Sequence, residues 1–533
     1  MSQALTDLPG RFNIASACVD RWVEAGQGDR PSIRSEDGVV SYRQLQEQVD
    51  RLGNGLKALG LARGDRFMIR LSGGVSFYAA FLAGLKLGAV AVPTPELLRE
   101  RELSHIINTA GVRLVVTSDA LAGPIRALRV DHHTLETVVC LGGTEPSEVD
   151  FEGLIDEADP HLYAVDTTPD DPAFVLFSSG TTGVPKGIAH AHRAYNMAAG
   201  NPVGREGMGL VPSDVVLHPH DPAWSYSLGC GFLFPLMEGA SVVSATVRIP
   251  PDDILTWVER HSVSILACVP TFYRAILAQR DVERGRDLSS LRHCLSAGEP
   301  LTTSTFHEWQ ARMHSPILDH IGQGETSMFC ANIPGGQTMP GSIGKPLSGY
   351  VVAIVDDEGD EIVGEIGHLV ISEDNPGLFC EYLNMPDKWA ATHSNGWYYT
   401  GDLARQDEDG FFWYVSRSDD SITSRGYLIS PAEVEDALVD HPAVLEAGVV
   451  GQPHEQWGQI VTAYVALKPG VEASAELESA LSDHVRQQLA PFKTPKRWVF
   501  TSELPKTSTG KILRRMLREH GDQTERPTPS DDA

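Results

Sequence analysis

Apolar and polar residues alternate along residues 31–130 in short blocks whose period changes repeatedly. Residues 41–59 carry apolar side chains at helical spacing behind a serine that can cap a helix, so they predict a helix. Short apolar runs at 66–71 and 89–93 predict strands, and residues 77–87 between them predict another helix. Because strands that alternate with helices are typical of parallel sheets covered on both faces, the pattern predicts an α/β fold.

Two later changes of pattern divide the chain. Residues 341–415 form short apolar runs between Gly, Asp and Asn turns, which predicts an antiparallel, barrel-like subdomain. An α+β pattern follows, in which Ser430 to Glu433 combines an N-cap, an N1 proline and a capping-box glutamate. We expect a large N-terminal domain over 1–418 with two parallel-sheet αβαβα-type subdomains and the barrel-like subdomain, a small mobile α+β domain over 419–520, and a disordered tail over 521–533.

Composition then excludes several classes of function. The 533 residues carry a formal charge of −28, and such an acidic surface disfavours a nucleic-acid partner. The seven cysteines are odd in number and show no paired spacing, which indicates free thiols in a reducing compartment. The start MSQALTDLPG lacks the features of a signal peptide, and no apolar run reaches membrane length. We therefore expect a cytoplasmic protein with no membrane partner.

A segment rich in glycine and hydroxyl groups follows an apolar run at 173–177 that predicts a buried strand. It reads SSGTTGVPKG, and its glycines let successive N–H groups point at phosphate oxygens while the hydroxyls and a lysine add donors. Its spacing differs from a Walker loop, and a flexible surface turn is the weaker interpretation. The residues predicted to bind phosphate are Ser178, Ser179, Gly180, Thr181, Thr182, Gly183 and Lys186.

This loop resembles the signature of the adenylate-forming (ANL) superfamily, which includes acyl-CoA synthetases, luciferases and the adenylation domains of peptide synthetases. The resemblance covers roughly residues 30–515, with several motifs in the same order. Residues 269–274 (VPTFYR) and 296–301 (SAGEPL) are most similar to the benzoate, aminobenzoate and medium-chain acyl-CoA ligases. The resemblance implies an AMP-forming acid–thiol ligase that uses ATP or a supplied acyl-AMP, CoA and Mg²⁺.

The resemblance also implies roles for individual residues. Asp319 would meet the adenine amino group, and Glu325 matches the acidic residue that holds Mg²⁺. Asp402 matches the carboxylate that accepts both ribose hydroxyls, and Arg417 would add a second ribose contact. The other positions implied to contact the nucleotide are Gly298, Glu299, Pro300, Ile321, Gly322, Gln323 and Tyr414.

The second domain resembles the mobile C-terminal domain of the superfamily. Lys511, in the loop PKTSTGK, matches the catalytic lysine, which reaches the substrate carboxylate and the α-phosphate during adenylation. Lys511, Glu325 and Lys186 are thus the predicted catalytic residues. Asp419 matches the hinge at which the domain turns before CoA enters. The implied CoA tunnel is lined by Ser424, Arg425, Gly426 and Tyr427.

An aromatic segment at 218–231, HPHDPAWSYSLGCG, aligns with the acyl-binding region of the superfamily. Tyr226 is the first candidate for the gate between acyl site and CoA tunnel, and Trp224 is the second. Because aromatic runs are more often core than gate, both interpretations stay open. His218 and His220 have no ligand-like companions in the sequence, and we interpret them as structural.

The chain departs from the superfamily pattern at Gly324, where Thr or Ser usually precedes the glutamate. A lost charge-assisted hydrogen bond to phosphate is worth roughly 1.5–3 kcal/mol. Glycine is also expected to loosen the backbone that aims Glu325. Thr423 and Arg425 likewise replace more usual residues, so adenylation and thioesterification could be unequal.

The leading hypothesis is a ligase that converts an apolar acid (aryl, alicyclic or bulky) to its CoA thioester through acyl-AMP. The second is a weakly adenylating or non-adenylating enzyme that thioesterifies acyl-AMP supplied by a partner ligase in a specialised biosynthetic pathway. A carrier-loading enzyme and a non-catalytic sensor of acyl nucleotides are further alternatives, and the retained catalytic residues count against the sensor. The expected partners are the acid, ATP and CoA, and the expected state is a monomer or homodimer.

Overall fold

The computed structural model describes residues 8–129, 134–179, 185–246, 249–424, 427–454, 457–506 and 512–521. Its α-helices are α1 (Arg21–Glu24), α2 (Tyr42–Ala58), α3 (Val75–Lys86), α4 (Glu100–Ala110), α5 (Asp119–Leu128), α6 (Phe151–Asp156), α7 (Ser225–Leu228), α8 (Phe234–Met237), α9 (Ile254–His261), α10 (Pro270–Leu277), α11 (Thr303–Met313), α12 (Pro386–Thr392), α13 (Pro431–Val439), α14 (Ala475–Gln488) and α15 (Arg514–Gly521). Short 3₁₀ or π turns lie at Ser16–Asp20, Ala194–Asn196, Val203–Gly207, Gly229–Leu233, Pro251–Asp253 and Pro491–Lys493.

The strands are β1 (Pro31–Ser35), β2 (Gly38–Ser41), β3 (Arg66–Arg70), β4 (Val90–Pro93), β5 (Leu114–Ser118), β6 (Thr137–Leu141), β7 (Val149–Asp150), β8 (Pro172–Ser179), β9 (Pro185–Ala191), β10 (Val215–Leu217), β11 (Ser241–Val243), β12 (Ile265–Cys268), β13 (His293–Ser296), β14 (Ile317–Gln323), β15 (Ser327–Ala331), β16 (Lys345–Pro346), β17 (Val352–Val355), β18 (Ile366–Ser372), β19 (Glu381–Tyr382), β20 (His393–Ser394), β21 (Trp397–Gln406), β22 (Phe412–Arg417), β23 (Ile422–Ser424), β24 (Tyr427–Ile429), β25 (Val444–His454), β26 (Gly458–Leu467) and β27 (Arg497–Thr501).

The internal contacts divide the chain into two compact units. Unit 1 contains Met1–Val352 and Val370–Tyr398, and unit 2 contains Ala353–Leu369 and Tyr399–Ala533. The boundary at 418/419 that we expect from the sequence stays a prediction. The tail expected at 521–533 lies outside the described residues from residue 522 onward.

Two large sheets organise unit 1. One has the strand order β16-β15-β14-β13-β12-β10-β11-β1-β2 and the other the order β19-β9-β8-β4-β3-β5-β6-β7. The inner neighbours pair in parallel, for example β12 with β13 and β3 with β4, and antiparallel pairs such as β14–β15 and β8–β9 lie toward the edges. This arrangement confirms the α/β class predicted from the alternation of strands and helices.

The early elements follow the sequence pattern closely. Helix α2 begins after Ser41, whose hydroxyl accepts a hydrogen bond from the backbone of Gln44 at 3.2 Å. The side-chain oxygen of Gln44 in turn accepts a hydrogen bond from the backbone N–H of Ser41 at 2.8 Å, which completes a capping box. The predicted strands at 66–71 and 89–93 correspond to β3 and β4.

The region after residue 350 also contains the expected short strands. In unit 2, β21 pairs antiparallel with β22 from Asp402–Arg417 to Gln406–Phe412, and β26 pairs with β25 and β27 in a five-stranded sheet. Helix α13 begins at the predicted N1 proline, but the predicted capping box is wrong. The Ser430 hydroxyl donates to the carbonyl of Val415 instead, because a tertiary acceptor lies within its reach.

Unit 1 also contains a buried ion pair that no functional hypothesis uses. Lys86 on α3 is 2% exposed, and its ammonium lies 2.8 Å from Asp20 and 2.5 Å from Asp50. The seven cysteines are free thiols, as the sequence predicts. Among the described residues, no helix is long and apolar enough to cross a membrane.

Candidate active site

The carboxyl ends of the parallel strands in the nine-stranded sheet bring several predicted nucleotide residues together. Strand β13 ends at Ser296, which pairs in register with Asp319 on β14. The backbone then turns through Gly298, whose φ of +89° lies in the left-handed region that favours glycine. In open α/β sheets, ligands bind outside the carboxyl ends of such strands.

The phosphate-loop segment joins β8 to β9 in the eight-stranded sheet. Ser178 pairs with Lys186 across these antiparallel strands. The Ser178 hydroxyl is buried and has no hydrogen-bond partner among the described residues. Gly180, Thr181, Thr182 and Gly183 lie outside the described residues, and Ser179 is described only by its backbone.

Lys186 and Glu325 form an ion pair although 139 residues separate them in the sequence. The Lys186 ammonium lies 2.6 Å from Glu325 Oε1, and the two side chains are 18% and 7% exposed. Burial alone would raise the pKa of Glu325, but the charge of Lys186 and hydrogen bonds from Lys186 and Tyr382 outweigh that effect and lower it. The site therefore holds an ionised carboxylate beside the loop that binds phosphate by resemblance.

Tyr382 on β19 completes this group. Its hydroxyl donates to Glu325 Oε1 at 2.9 Å, and the Lys186 ammonium lies 4.7 Å from the centroid of its ring. The ring face attracts the cation while the hydroxyl fixes the carboxylate. Sequence reasoning missed Tyr382, because nothing in its local pattern distinguishes it from a core tyrosine.

The carbonyl of Gly324 is held by two donors from the eight-stranded sheet and its following turn. His190 Nε2 lies 2.9 Å from this oxygen, and the Tyr195 hydroxyl donates to it at 3.2 Å. Burial lowers the pKa of His190 to about 3, so its ring is neutral and donates through Nε2–H. Two buried donors therefore hold the carbonyl of Gly324, and the expectation that glycine loosens the backbone before Glu325 stays a prediction.

The donor set suits a magnesium ion that arrives with a nucleotide. Mg²⁺ is usually held by one or two carboxylates together with phosphate oxygens and water. Glu325 supplies one ionised carboxylate, and Lys186 beside it supplies a cation for the phosphates. Among the described residues, no group of three or more His, Cys, Asp or Glu could hold a metal ion by itself.

The predicted adenine wall is fixed by helix α10. Glu299 accepts hydrogen bonds from Thr271 at 2.6 Å and from Arg274 at 3.3 Å, so its carboxylate points toward the start of that helix. The backbone carbonyl of Asp319 accepts from both the backbone and side chain of Asn332, at 3.1 and 3.0 Å. These contacts position the wall, while its role in adenine binding stays a prediction.

Strand β14 continues past Asp319 through the remaining predicted nucleotide residues. Its register shifts between Ile321 and Gly322, and a Cβ at Gly322 would lie 2.5 Å from the carbonyl oxygen of Ser327. Only glycine fits this close backbone approach. Gln323 accepts a hydrogen bond from the Tyr398 hydroxyl at 3.1 Å, which links it to β21 within unit 1. Pro300 follows Glu299 directly.

The predicted ribose pair lies on neighbouring strands of unit 2. Asp402 on β21 is opposite Arg417 on β22, and the guanidinium donates to its carboxylate at 3.0 Å. The Asp402 side chain is 5% exposed. The turn before it needs glycine at Gly401, since φ is +76° and a Cβ would lie 2.9 Å from the Arg417 guanidinium. Tyr414 is on the same hairpin, and burial followed by the charge of Asp402 raises its pKa.

The other residues predicted in unit 2 are only partly described. Asp419 lies 3.8 Å from the guanidinium of Arg417, and its hinge role stays a prediction. Ser424 is buried and pairs with Tyr427, whose exposed ring stacks on Phe492 at 4.4 Å between centroids. Arg425, Gly426 and Lys511 lie outside the described residues.

Both gate candidates lie in one group of rings. Tyr226 and Trp224 contact each other with ring centroids 5.4 Å apart. Tyr226 also contacts His218 of the same segment at 4.5 Å and His320, which is distant in the sequence, at 5.2 Å. Burial is the main cause that raises the pKa of Tyr226 well above its ordinary value, so its hydroxyl stays protonated.

The sequence profile of the AMP-binding enzymes matches residues 19–383, and the profile of their C-terminal domain matches residues 433–511. The chain belongs to this family. The benzoate–CoA ligase of Thauera aromatica is 36% identical over 515 residues, which cover 96% of this chain and 96% of that protein.

Solved structures of the family superimpose over nearly the whole chain. The anthranilate CoA ligase AuaEII in complex with anthranoyl-AMP has a TM-score of 0.90 and 32% identity, with 97% of this chain and 99% of that chain covered. A benzoate CoA ligase from Burkholderia xenovorans LB400 has a TM-score of 0.86 and 31% identity, with 95% and 100% covered. The family confirms the fold and the AMP-forming acid–thiol ligase activity predicted from the motifs, with ATP and CoA as substrates.

Replacing Asp402 by alanine is expected to weaken AMP binding about 10- to 100-fold, because a charged acceptor for a diol is worth roughly 1.5–3 kcal/mol. Isothermal calorimetry with AMP and ATP measures the change. Asp407→Asn on the same hairpin is the control. Asp407 accepts hydrogen bonds from Phe411 and Trp413, which stabilise the turn, and it has no predicted contact with the ribose. Unchanged AMP affinity in a folded Asp402 variant would contradict the ribose assignment.

Proposed function

We propose that the chain activates an apolar carboxylic acid, with an aryl acid as the first candidate, as its acyl-AMP and then transfers the acyl group to CoA. The observation that carries this proposal is the Lys186–Glu325 ion pair beside the phosphate loop. The names of the benzoate and anthranilate ligases support an aryl acid. An apolar acid also agrees with the aromatic rings around Tyr226.

The first half-reaction joins the acid to the nucleotide. A carboxylate oxygen attacks the α-phosphorus, the bond to the β-phosphate oxygen breaks, and pyrophosphate leaves. Lys186 holds the phosphates as a point charge, and Glu325 holds the Mg²⁺ that neutralises them. Lys511 stabilises the charge that builds on the α-phosphate in the transition state. Asp402 and Arg417 hold the ribose so that the acid and phosphorus stay in line.

The second half-reaction replaces AMP by a thiol. The sulfur of CoA attacks the acyl carbonyl, the acyl–phosphate bond breaks, and AMP leaves with both bonding electrons. Thioesterification needs the adenylate, CoA and a formed tunnel, whereas adenylation also needs the triphosphate to be aligned. The family's domain movement at Asp419 would exchange the residues that serve the two steps.

The test supplies ATP, CoA and a panel of aryl, alicyclic, medium-chain and short-chain acids. The expected result is AMP and an acyl-CoA product with at least one apolar acid, detected by mass spectrometry. A phosphopantetheinylated carrier protein replaces CoA in a parallel reaction, because a carrier-loading enzyme shares the first step. Selective loading of the carrier, or AMP formation only with short polar acids, would overturn the proposal.

A second candidate function is favoured by Gly324. The hydroxyl that usually precedes the magnesium-binding glutamate is missing before Glu325. Its loss should therefore lower the rate of adenylation, which must align a triphosphate, more than the rate of thioesterification, which starts from acyl-AMP. The chain would then mainly thioesterify acyl-AMP made by a partner ligase. Pyrophosphate exchange that is slow for every acid, beside fast thioester formation from synthetic acyl-AMP, would establish this function.

Restoring the hydroxyl is expected to raise the adenylation rate. A Cβ at Gly324 would lie 3.0 Å from Ile188 Cδ1, so the neighbour must give way by a few tenths of an ångström. We therefore expect Gly324→Thr combined with Ile188→Val to raise ATP–pyrophosphate exchange about 10- to 100-fold, at about 1.4 kcal/mol per tenfold. Ile188→Val alone is the control and should leave the exchange rate unchanged. If ATP–pyrophosphate exchange is fast in the native chain and no faster in the double variant, this role for Gly324 is refuted.

A further inference from the structure

A turn at residues 95–98 contacts the aromatic segment at 218–231 where parallel strands of both sheets of unit 1 end. The turn comes one residue after β4 of the eight-stranded sheet, and the aromatic segment directly follows β10 of the nine-stranded sheet. Leu97 at the tip of the turn is 61% exposed, so apolar packing does not fix this tip. Polar contacts on either side of the turn hold it instead.

The carboxylate of Asp221 makes the contact between the two segments. Its Oδ2 accepts a hydrogen bond from the backbone N–H of Glu96 at 3.1 Å, and its Oδ1 accepts one from Ala223 at 2.9 Å. The backbone carbonyl of Asp221 accepts from the N–H of Trp224 at 3.1 Å, which closes a turn with Pro222 in its second position. One carboxylate therefore stabilises its own turn and reaches a strand end of the other sheet.

The opposite side of the turn at 95–98 is held by Arg70, the last residue of β3. Its buried guanidinium donates at 2.9, 2.9 and 3.0 Å to three backbone carbonyls, those of Pro95, Glu96 and Leu98. The carbonyls of the turn thus face a cation, and one of its N–H groups faces an anion. Each charge satisfies backbone groups that would otherwise be unpaired, so the loss of either should free the turn.

The two gate candidates, Trp224 and Tyr226, come directly after this contact. Trp224 is the N-cap residue of α7, and its carbonyl accepts from the N–H of Leu228 at 2.8 Å. The rings of Trp224 and Tyr226 lie 5.4 Å apart between centroids. Hydrogen bonds behind a side chain fix its position, so the contact at Asp221 controls where both rings stand.

The charge of Asp221 is kept at a cost to folding. Burial raises the pKa of Asp221 from its ordinary 3.8 to about 6; the nearby carboxylate of Glu96 adds to the rise, while the two backbone N–H groups and Arg70 oppose it. A carboxyl group whose pKa is higher in the folded than in the unfolded chain destabilises the fold at pH values above that pKa. A charge that lowers stability at neutral pH indicates a functional demand for it.

We infer that Asp221 is a positioning residue for the acyl site, which ties the turn at 95–98 to the start of the aromatic segment. It acts through Trp224 and Tyr226, whose positions this contact sets. The ionised carboxylate suits the role because both of its oxygens accept hydrogen bonds. An amide or a protonated carboxyl would present a donor to one of the two N–H groups and weaken the contact. The inference rests on the proposed function, because it concerns the same acyl site.

The test compares the native chain with Asp221→Asn at about pH 7.5 and about pH 5. Calorimetry measures the affinity for AMP and for adenosine sulfamates that carry a benzoyl, cyclohexanecarbonyl or hexanoyl group, which are stable analogues of acyl-AMP. At the higher pH we expect the variant to bind the tightest acyl compound about 10-fold more weakly and to bind AMP equally well. At the lower pH most Asp221 in the native chain is protonated, so the two proteins should differ only about twofold.

Asp214→Asn is the matched control, because Asp214 directly precedes β10 at its other end. Its carboxylate accepts hydrogen bonds from Ser264 and Arg292, each at 2.7 Å, so its loss should lower the melting temperature and keep the affinity for the acyl compound. Asp221→Asn should do the reverse. It removes a charge that costs stability, so its melting temperature at the higher pH should stay unchanged or rise.

The possible outcomes separate this inference from the proposed function. If an acyl compound binds more tightly than AMP, but Asp221→Asn binds it as well as the native chain does at the higher pH, the inference is overturned and the ligase function stands. An equal loss for AMP, an undiminished difference at the lower pH, or a large fall in melting temperature would mark Asp221 as a general structural residue and also overturn it. If no acyl compound binds more tightly than AMP, the proposed function fails and the inference fails with it.

Discussion

Replacing Glu325 by glutamine is expected to lower acyl-AMP formation about 100- to 1,000-fold, the loss that follows removal of one preorganised electrostatic group in a transition state. The carboxylate is ionised, buried and 2.6 Å from Lys186, so the amide removes the charge that the metal requires. ATP–pyrophosphate exchange at several Mg²⁺ concentrations measures the effect, which should include a higher Mg²⁺ requirement. Thioester formation from supplied acyl-AMP should fall far less, since no triphosphate is bound in that step.

A control separates this effect from the general cost of breaking a buried ion pair. Asp50→Asn disrupts the pair with Lys86 in the same unit, 2.5 Å apart in the native protein. Breaking such a pair costs roughly 3–5 kcal/mol of stability, so this variant should melt earlier while its folded molecules keep their exchange rate. Should Glu325→Gln lower both half-reactions equally, or only the melting temperature, the assignment of Glu325 would be wrong.

Replacing Lys511 by alanine is expected to lower the rate of adenylation about 100- to 1,000-fold, as for Glu325→Gln, and to leave thioesterification of supplied acyl-AMP nearly unchanged. Lys511 lies outside the described residues, and the expectation rests on its place in the PKTSTGK loop. Its cation would stabilise the charge that develops on the α-phosphate, which only the first step requires. Rapid quench with radiolabelled ATP measures adenylation, and synthetic acyl-AMP isolates the second step.

Lys506→Ala is the matched control, because Lys506 is in the same loop but lies 2.5 Å from Glu446 in a surface ion pair. Surface pairs contribute at most about 1 kcal/mol, so both half-reactions should persist in this variant. A Lys511 variant that loses both steps equally while still folded would refute the role taken from the resemblance.

Local signals in the sequence predict the early elements well. Helix α2 is marked by a capping serine and by apolar residues at helical spacing, and the structure forms the capping box with Gln44. The same reasoning fails at Ser430, because a carbonyl from the preceding hairpin competes for its hydroxyl. A motif identifies the residues that can make a cap, whereas the tertiary fold decides which acceptor they meet.

The candidate site shows the same division. Lys186 and Glu325 are identified by motifs, but their contact depends on two sheets formed by distant parts of the chain. Tyr382 and Tyr195 carry no motif; Tyr382 reaches the site because β19 pairs with β9, and Tyr195 reaches it from the turn that follows β9. Likewise, His218 and Tyr226 are close in the sequence, whereas the contact of Tyr226 with His320 joins distant parts of the chain. Long-range packing is the information that one sequence does not display.

The ion pair of Lys186 and Glu325 also links nucleotide binding to the mechanical integrity of unit 1. Lys186 belongs to β9 of the eight-stranded sheet, while Glu325 follows β14 of the nine-stranded sheet. Two further hydrogen bonds, from His190 and Tyr195 to Gly324, cross the same junction. A ligand that needs both Lys186 and Glu325 binds only when the sheets are docked, so it opposes their separation. At a hundredfold excess over its Kd, such a ligand adds about 2.7 kcal/mol to the free energy of separating them. Bound nucleotide would then slow proteolysis at this junction, because it keeps the two sheets together.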